Sequence, residues 1–555
     1  MKPKKYFILC LFFILFLSFW AIKPFFHLGF FPIHDDTQIV RVQQIAQALK
    51  DGQFPVRWVA DLGYGFGYPI FNFYAPLPYY IGAVFNLIGF DVLLATKLMM
   101  ILGILLSGVF MYLLAREFWG EMGGILSGLF YIYAPYHAVD IYVRGAVAEF
   151  WAMVFLPLAF LGIYQIFQKN RWGVVIASLG FAGVILSHSL TAMMAVPFIL
   201  LGILVLFIFS KAKKYFIPYT LYFILLFLGL SAFYWLPALS EMGYTRVFGQ
   251  IGGGADFRDH FVFLDQLWAS PWGFAGSAPG RLDGMSFMIG KLHIIFAAFS
   301  IITCFYFWKK YRRQSLAILL ATGFCLLATG LTNQLSQPIW DAIPPMAFIQ
   351  YPWRFLVFTA FAASFMVGAV VLWFRKKTRP SWIGGIIIIG ALLFLNTKYF
   401  LPQMYLDVSA KDYTSEENIK WKTSKISDEY LPRDFPTPQN RNEVAWEKVA
   451  VLEGEAEIKD LKLKSYQYTF EAVIKSDTQI LINTAYFPGW KLWVDGKETD
   501  FSLDNGKIRF SLPAGDYQIS VRLTNTPIRT VSNLISLVSW VGLGAFMLKY
   551  SYGRD

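Results

Sequence analysis

The feature that most constrains this chain is a series of long apolar runs, each closed by a short basic turn. Runs of about 18 to 24 residues with few charges have the length of a membrane-crossing helix. Basic turns fall at Arg116, at Lys169 and Arg171, at Lys211, Lys213 and Lys214, from Lys309 to Arg313, from Arg375 to Arg379, and in the tail at Lys549 and Arg554. Placing every basic turn in the cytoplasm predicts spans at 6–24, 92–115, 122–138, 149–167, 172–189, 190–209, 215–236, 287–308, 314–332, 355–374, 382–398 and 531–548, with both termini inside. The expected fold class is a polytopic α-helical membrane protein with about twelve transmembrane helices in the plasma membrane.

Charge agrees with that class. Only 15% of residues are charged, against about 25% in soluble domains. The net charge of +12 resides in turns between apolar segments, which argues for membrane lipid and against a nucleic-acid partner. Cys10, Cys304 and Cys325 all lie in apolar runs and make neither a disulfide framework nor a metal spacing. Met1 to Ile22, led by Lys2, Lys4 and Lys5, is longer than a signal-peptide core and lacks a small-residue cleavage site, so it is expected as an uncleaved first span.

The opposite, outer side collects the irregular sequence. A first loop (25–91) opens with Ile33-His34-Asp35-Asp36, then Ile39, Val42, Ile45, Ala46 and Leu49 at helical spacing. Asp36 is the expected N-cap and Gly52 the expected stop. Such a helix is expected to lie on the membrane surface and hold the acidic pair at the lipid–water boundary. Phe73 to Phe90 is apolar enough to cross, but the basic turns that follow make it a juxtamembrane or re-entrant helix packed under the first loop, with Pro76 and Pro78 at its entry. A long loop (237–284), with Gly252-Gly253-Gly254, has the length of a lid or binding element. Residues 399–530 form a soluble domain whose second half alternates as strands: Tyr466, Tyr468, Phe470, Ala472 and Ile474, then Ile508, Phe510 and Leu512, then Tyr517, Ile519, Val521 and Leu523. Asp495-Gly496 and Asn505-Gly506 are hairpin turns. The domains expected are a transmembrane unit (1–398), an extracytoplasmic β-sandwich (399–530), and a last span with its tail (531–555).

Ionisable residues are rare in the spans; Lys97, Glu149, His188, Lys291 and His293 all fall near the outer side, as for a cavity open to the outer leaflet. Asp35 and Asp36 are the candidate catalytic pair, one accepting a proton from a hydroxyl while the other orients it or holds a divalent cation such as Mg or Mn. Taken alone they read equally as a cap and its solvated neighbour. Glu149, in Arg144-Gly145-Ala146-Val147-Ala148-Glu149, is the third candidate acid, placed to face the pair across the cavity. Arg144 suits a carboxylate or a phosphate, or pins a helix end. His34, Arg41, His188 in Ser187-His188-Ser189, Arg354 in Tyr351-Pro352-Trp353-Arg354, and Tyr74 are candidate substrate contacts. Tyr74 belongs to an aromatic run (Tyr64, Phe66, Tyr68, Phe71, Phe73, Tyr74, Tyr79, Tyr80) that fits either a sugar-stacking surface or an interfacial belt.

Taken in order, these residues resemble a family. The acidic pair, Lys50-Asp51-Gly52, Gly63 to Pro69, Phe73-Tyr74-Ala75-Pro76-Leu77, Arg144 to Glu149, Pro157-Leu158 and Ser187-His188 resemble the 6-pyruvoyl-tetrahydropterin-synthase-related membrane proteins. Tyr486-Phe487-Pro488-Gly489-Trp490 with Val494 to Lys497 is similar to the C-terminal domain of YfhO-type proteins. Both groups resemble the GT-C glycosyltransferase superfamily. The resemblance implies an inverting transferase using a polyprenyl-phosphate-linked sugar, with Asp35 or Asp36 as base and Glu149 as the second acid. The acceptor is a glycan, lipid or protein. It implies no pterin chemistry, since no cluster of zinc-binding histidines is present. Two other readings stay open: a lipid-linked sugar flippase, which calls for charged residues at mid-span, and a non-catalytic cell-envelope assembly protein whose β domain binds a partner.

Overall fold

A computed structural model describes residues 3–252, 255–374 and 378–552. Lys2, Gly253, Gly254, Arg375 and Arg554, named above, lie outside the described residues. The chain is mostly helical, and a C-terminal antiparallel β region precedes the last helix. Among the described residues, eight helices are long and apolar enough to cross a membrane, or nine when the bent pair Lys5–Leu17 and Phe19–Phe26 counts as one span. Trp172–Ser187 and Lys291–Tyr306 are apolar but shorter. The run Val92–Ile132 is broken at Gly120, whose φ of 76° is non-helical, so it supplies the helices of two expected segments. The second half stops at Ile132, well short of the expected 138, because Pro135 starts a separate turn.

The helices pack by small residues as well as large. A Cβ at Gly162 would lie 2.1 Å from the Ala177 amide nitrogen, so only glycine lets the Val147–Phe167 and Trp172–Ser187 helices approach that closely.

The β region pairs Val449–Glu453, Thr478–Ala485, Lys507–Leu512 and Ser502–Asp504 in one sheet, in that order. The second sheet orders Ala456–Lys464, Gln467–Ile474, Gly515–Leu523, Trp490–Val494 and Lys497–Thr499. Both expected hairpins form with positive φ at Asp495, Gly496, Asn505 and Gly506, the signature of tight primed turns. Tyr468, Phe470, Ala472 and Ile474 face inward, as their alternation requires.

Irregular connections far apart in sequence meet in pairs. Phe30 bridges Leu406, Arg246 donates to the Leu431 carbonyl at 3.2 Å, and Gln350 to that of Gln250 at 3.1 Å. Two of the basic turns also meet, Arg313 donating to the Glu117 carbonyl beside Arg116.

The first-loop helix forms over Gln38–Lys50 and ends in a Schellman turn: Gln53 N–H bonds the Ala48 carbonyl, Gly52 N–H bonds that of Leu49, and Gly52 takes a φ of 94°. Two expectations fail here. Thr37, not Asp36, occupies the N-cap, and no side chain caps the helix. Nor does the helix keep a wet polar face, because Arg41, Gln44 and Gln38 are buried along with its apolar stripe. The C-terminal domain covers the polar face, where Arg41 donates to Ser427 across 386 residues of sequence. Leu77–Leu87 packs beneath it, with Gly82 directly under Val42.

Much of the aromatic run is turned inward rather than outward to lipid or solvent. Tyr64, Phe66, Tyr68 and Phe73 are buried against Trp421, Phe435, Tyr430 and Phe487. These rings glue the first loop to the C-terminal domain, because aromatic pairs bury the most apolar area per residue.

Candidate functional site

The site is built where the first loop lies along residues 139–146. The His34 amide donates to the Val143 carbonyl at 3.1 Å, and the Asp35 amide to Arg144 at 2.9 Å. Gly145 makes this approach possible: its φ is 66°, and a Cβ there would sit 2.5 Å from Ile33 Cδ1. Gln38 closes the turn, donating to the Gly145 carbonyl at 2.9 Å and the Asp35 carbonyl at 3.1 Å while accepting from Tyr79 at 2.7 Å. His34 Nε2 bonds the Phe274 carbonyl at 3.0 Å, which brings the long loop over the same spot.

Within this pinned segment the two carboxylates differ. Asp35 is exposed and Asp36 half-buried. Neither side chain accepts a hydrogen bond or joins an ion pair among the described residues. Burial, with no compensating cation, pushes the Asp36 carboxyl up to about 6. Its charge is felt at Tyr413 of the C-terminal domain.

Glu149 is placed differently. It is 1% exposed, accepts from Tyr136 Oη at 2.5 Å and Arg144 Nη2 at 3.0 Å, and lies 3.5 Å from Arg354 Nε. Arg144 also pairs with Asp140 and stacks on Trp353 at 4.5 Å. Two acids and two arginines thus balance in a buried cluster. Its members come from a π-helical turn (Val139–Arg144), a helix start and the 352–355 turn. Among these residues Glu149 positions the arginines, and its carboxylate has no contact with Asp35 or Asp36. Arg354 donates through Nη1 to the Ile349 carbonyl at 2.7 Å and leaves Nη2 unbonded. The His188 ring caps the Ser189–Phe209 helix, its Nδ1 accepting from the Thr191 amide at 3.3 Å. The charge of Glu149 is felt at the same ring.

Arg41 is brought to the site with a partner the sequence did not reveal. Its guanidinium lies 4.2 Å over the Tyr74 ring and donates to Tyr79 at 3.4 Å and Ser427 at 3.1 Å. Ser427 donates in turn to Glu429 at 3.1 Å, and Tyr68 does so at 3.5 Å. Burial pushes the Glu429 carboxyl up, while Arg41 opposes the shift. Glu429, Asp140 and Tyr136 escaped sequence reasoning. Glu429 sits in a polar stretch without periodicity, and only the fold brings it to Arg41.

A divalent cation finds two carboxylates at the acidic pair and no third ligand. Among the described residues no three His, Cys, Asp or Glu side chains are grouped to hold a metal ion.

Several known proteins are similar. A protein of Lactococcus lactis subsp. cremoris, described as uncharacterized, is 29% identical over 239 residues, 41% of this chain and 39% of its own length. Among solved structures, the oligosaccharyltransferase of Archaeoglobus fulgidus is 13% identical with a TM-score of 0.45, over 80% of this chain and 61% of that one. Arabinofuranosyltransferase AftD from Mycobacteria is 14% identical with a TM-score of 0.42, over 74% and 28%. ArnT from Cupriavidus metallidurans, solved with undecaprenyl phosphate, is 13% identical with a TM-score of 0.38, over 71% and 64%. These structural neighbours are GT-C glycosyltransferases. The chain spans less than two thirds of each relative's length. The sequence match that bears on family takes in Tyr74, Arg144, Glu149 and His188 and leaves Asp35, Asp36, Arg41 and Arg354 outside it: residues 71–249 match the family of membrane proteins described as the 6-pyruvoyl-tetrahydropterin synthase related domain.

Proposed function

We propose that the chain is a membrane glycosyltransferase of the GT-C kind. It moves a sugar from a polyprenyl-phosphate carrier to a glycan, lipid or protein acceptor on the extracytoplasmic face of the plasma membrane, where the β domain also lies. The observation that carries this reading is the state of the acidic pair. Backbone and side chain around it are held by hydrogen bonds to Val143, Arg144 and Gly145, yet both carboxylates are left unpaired. A half-buried carboxylate that titrates at about 6 is matched to removing a proton from a hydroxyl near neutral pH.

Asp36 is accordingly the general base, and Asp35 orients the acceptor hydroxyl. As Asp36 takes the proton, the hydroxyl oxygen bonds the anomeric carbon and the polyprenyl phosphate leaves with the electron pair of the broken bond. Arg354, whose Nη2 has no hydrogen-bond partner among the described residues, holds the leaving phosphate in this reading. Glu149 and Asp140 keep Arg144 and Arg354 in place. Arg41, His34, His188 and Tyr74 shape the surrounding walls.

The test is transfer of a radiolabelled sugar from polyprenyl-phosphate donors in membranes carrying Asn at both Asp35 and Asp36. Transfer is abolished at unchanged protein level if the reading holds. Activity near that of the unaltered protein sinks it.

A further inference from the structure

A cavity of about 460 Å³ lies between the first loop and the start of the β domain. Its size falls within the about 300 to 1,000 Å³ of small-molecule sites. It opens beside Gln44 and Gln47, on the C-terminal half of the Gln38–Lys50 helix. At a rise of about 1.5 Å per residue, that is roughly 15 Å along the helix from Asp36.

Its lining is mixed: Val449, Leu461, Leu463 and Tyr468 give apolar surface, and the charged side chains are of both signs. Asp51, Asp61, Glu416 and Glu447 face Lys420, Lys448 and Lys464. The floor is built: Lys448, 8% exposed, donates to the carbonyls of Ala60 and Gly65. Gln44 donates to Asp61 Oδ2 at 3.1 Å and accepts from the Asp61 amide at 3.3 Å. That leaves Asp61 Oδ1 and the whole Glu447 carboxylate without partners among the described residues. Trp446 forms the rim, 43% exposed, its indole N–H tied to the Arg441 carbonyl at 3.0 Å so that the ring is held in place.

Elimination narrows the ligand. An apolar molecule would leave Asp61 Oδ1 without solvent or a partner, at a cost of about 1–3 kcal/mol. An anion meets more carboxylates than lysines, and a cation meets three ammonium groups. A neutral polyhydroxylated molecule suits the lining, because each hydroxyl both donates and accepts and a sugar ring has an apolar face for an indole. We infer that this cavity is a binding site for a short neutral oligosaccharide, seated between Asp61 and Glu447 with a ring against Trp446. The site stands apart from the transferase reading, since occupancy is measured without turnover.

The experiment uses the full chain in nanodiscs free of glycoside detergents, titrated calorimetrically with short linear glucans, galactans and N-acetylhexosamine oligomers. The uronic-acid counterparts run in parallel. Saturable binding of a neutral oligosaccharide is expected. Trp446→Ala and Glu447→Gln, both on the exposed rim, should each weaken it about tenfold, as should Asp61→Asn, with the unfolding temperature of the rim variants unchanged. Failure of every neutral oligosaccharide to bind, tighter binding of the uronic acids, or binding that survives the rim substitutions overturns the assignment.

Discussion

The amide of Asp35 is bonded to the carbonyl of Arg144 at 2.9 Å, so the loop carrying the acidic pair and the turn carrying the buried arginine move as one piece. This contact exists because Gly145 has no side chain to push Ile33 away. Gly145→Ala forces both a strained φ and a clash, and lifts the acids off their seat. A displacement of about 1 Å at a reacting group costs about 100-fold in rate. Transfer is expected to fall by that order while the protein still purifies as a monodisperse peak. Unchanged transfer rates would show that the contact does not position the acids.

Asp36 sets the pH dependence. The base works only when ionised, so kcat/KM rises with pH through about 6 and levels above it. A rate profile flat between about pH 5 and about pH 7 rules Asp36 out as the base.

The same shift has a consequence for stability. Burial raises the folded-state pKa from the usual 3.8 to about 6, so the native state holds the proton more tightly than the unfolded chain. Stability therefore declines as pH climbs from about 4 to about 6 and is lowered by a constant amount above that. Asp36→Asn should unfold at a higher temperature than the unaltered protein at pH 7 while losing transfer, a trade expected at functional sites. An unfolding temperature below that of the unaltered protein contradicts this.

Glu149 should behave in the opposite way. Glu149→Ala leaves Arg144 and Arg354 with one buried acid between them, a loss of about 3–5 kcal/mol. Activity and thermal stability should fall together in this variant, whereas they separate in Asp36→Asn. Scanning calorimetry beside the transfer assay distinguishes the two behaviours.

Another buried cluster ties the last helix to the bundle. Glu241 accepts from Asn72 at 2.8 Å, Thr526 at 2.7 Å and Arg529 Nε at 3.0 Å, and Asn72 in turn holds Arg57 at 3.1 Å. Glu241→Gln leaves two buried guanidinium groups short of an anion, again about 3–5 kcal/mol. Limited proteolysis should then release the β domain from the bundle at a temperature where the unaltered chain resists. Equal resistance would mean that the aromatic seam through Trp58 and Trp490, 5.4 Å apart, suffices.

Much of the architecture is legible in the residue order because its causes are local. Apolar run length and basic turns mark helices, alternation from Tyr468 to Ile474 marks a strand, and Asp495-Gly496 and Asn505-Gly506 mark turns that need positive φ. Gly52 closes its helix for the same local reason. The candidate acids were legible as types, but their roles were not. Asp36 differs from Asp35 in being half-buried, within electrostatic reach of Tyr413, and Glu149 differs from both in being buried with Arg144 and Arg354. The aromatic run from Tyr64 to Phe73 reads alike as belt, sugar surface or seam until its partners, more than 300 residues away, are in place. Periodicity reports which face of an element is apolar. What covers that face, and so which carboxylate is left dry and unpaired, depends on contacts between distant segments that no short window of sequence contains.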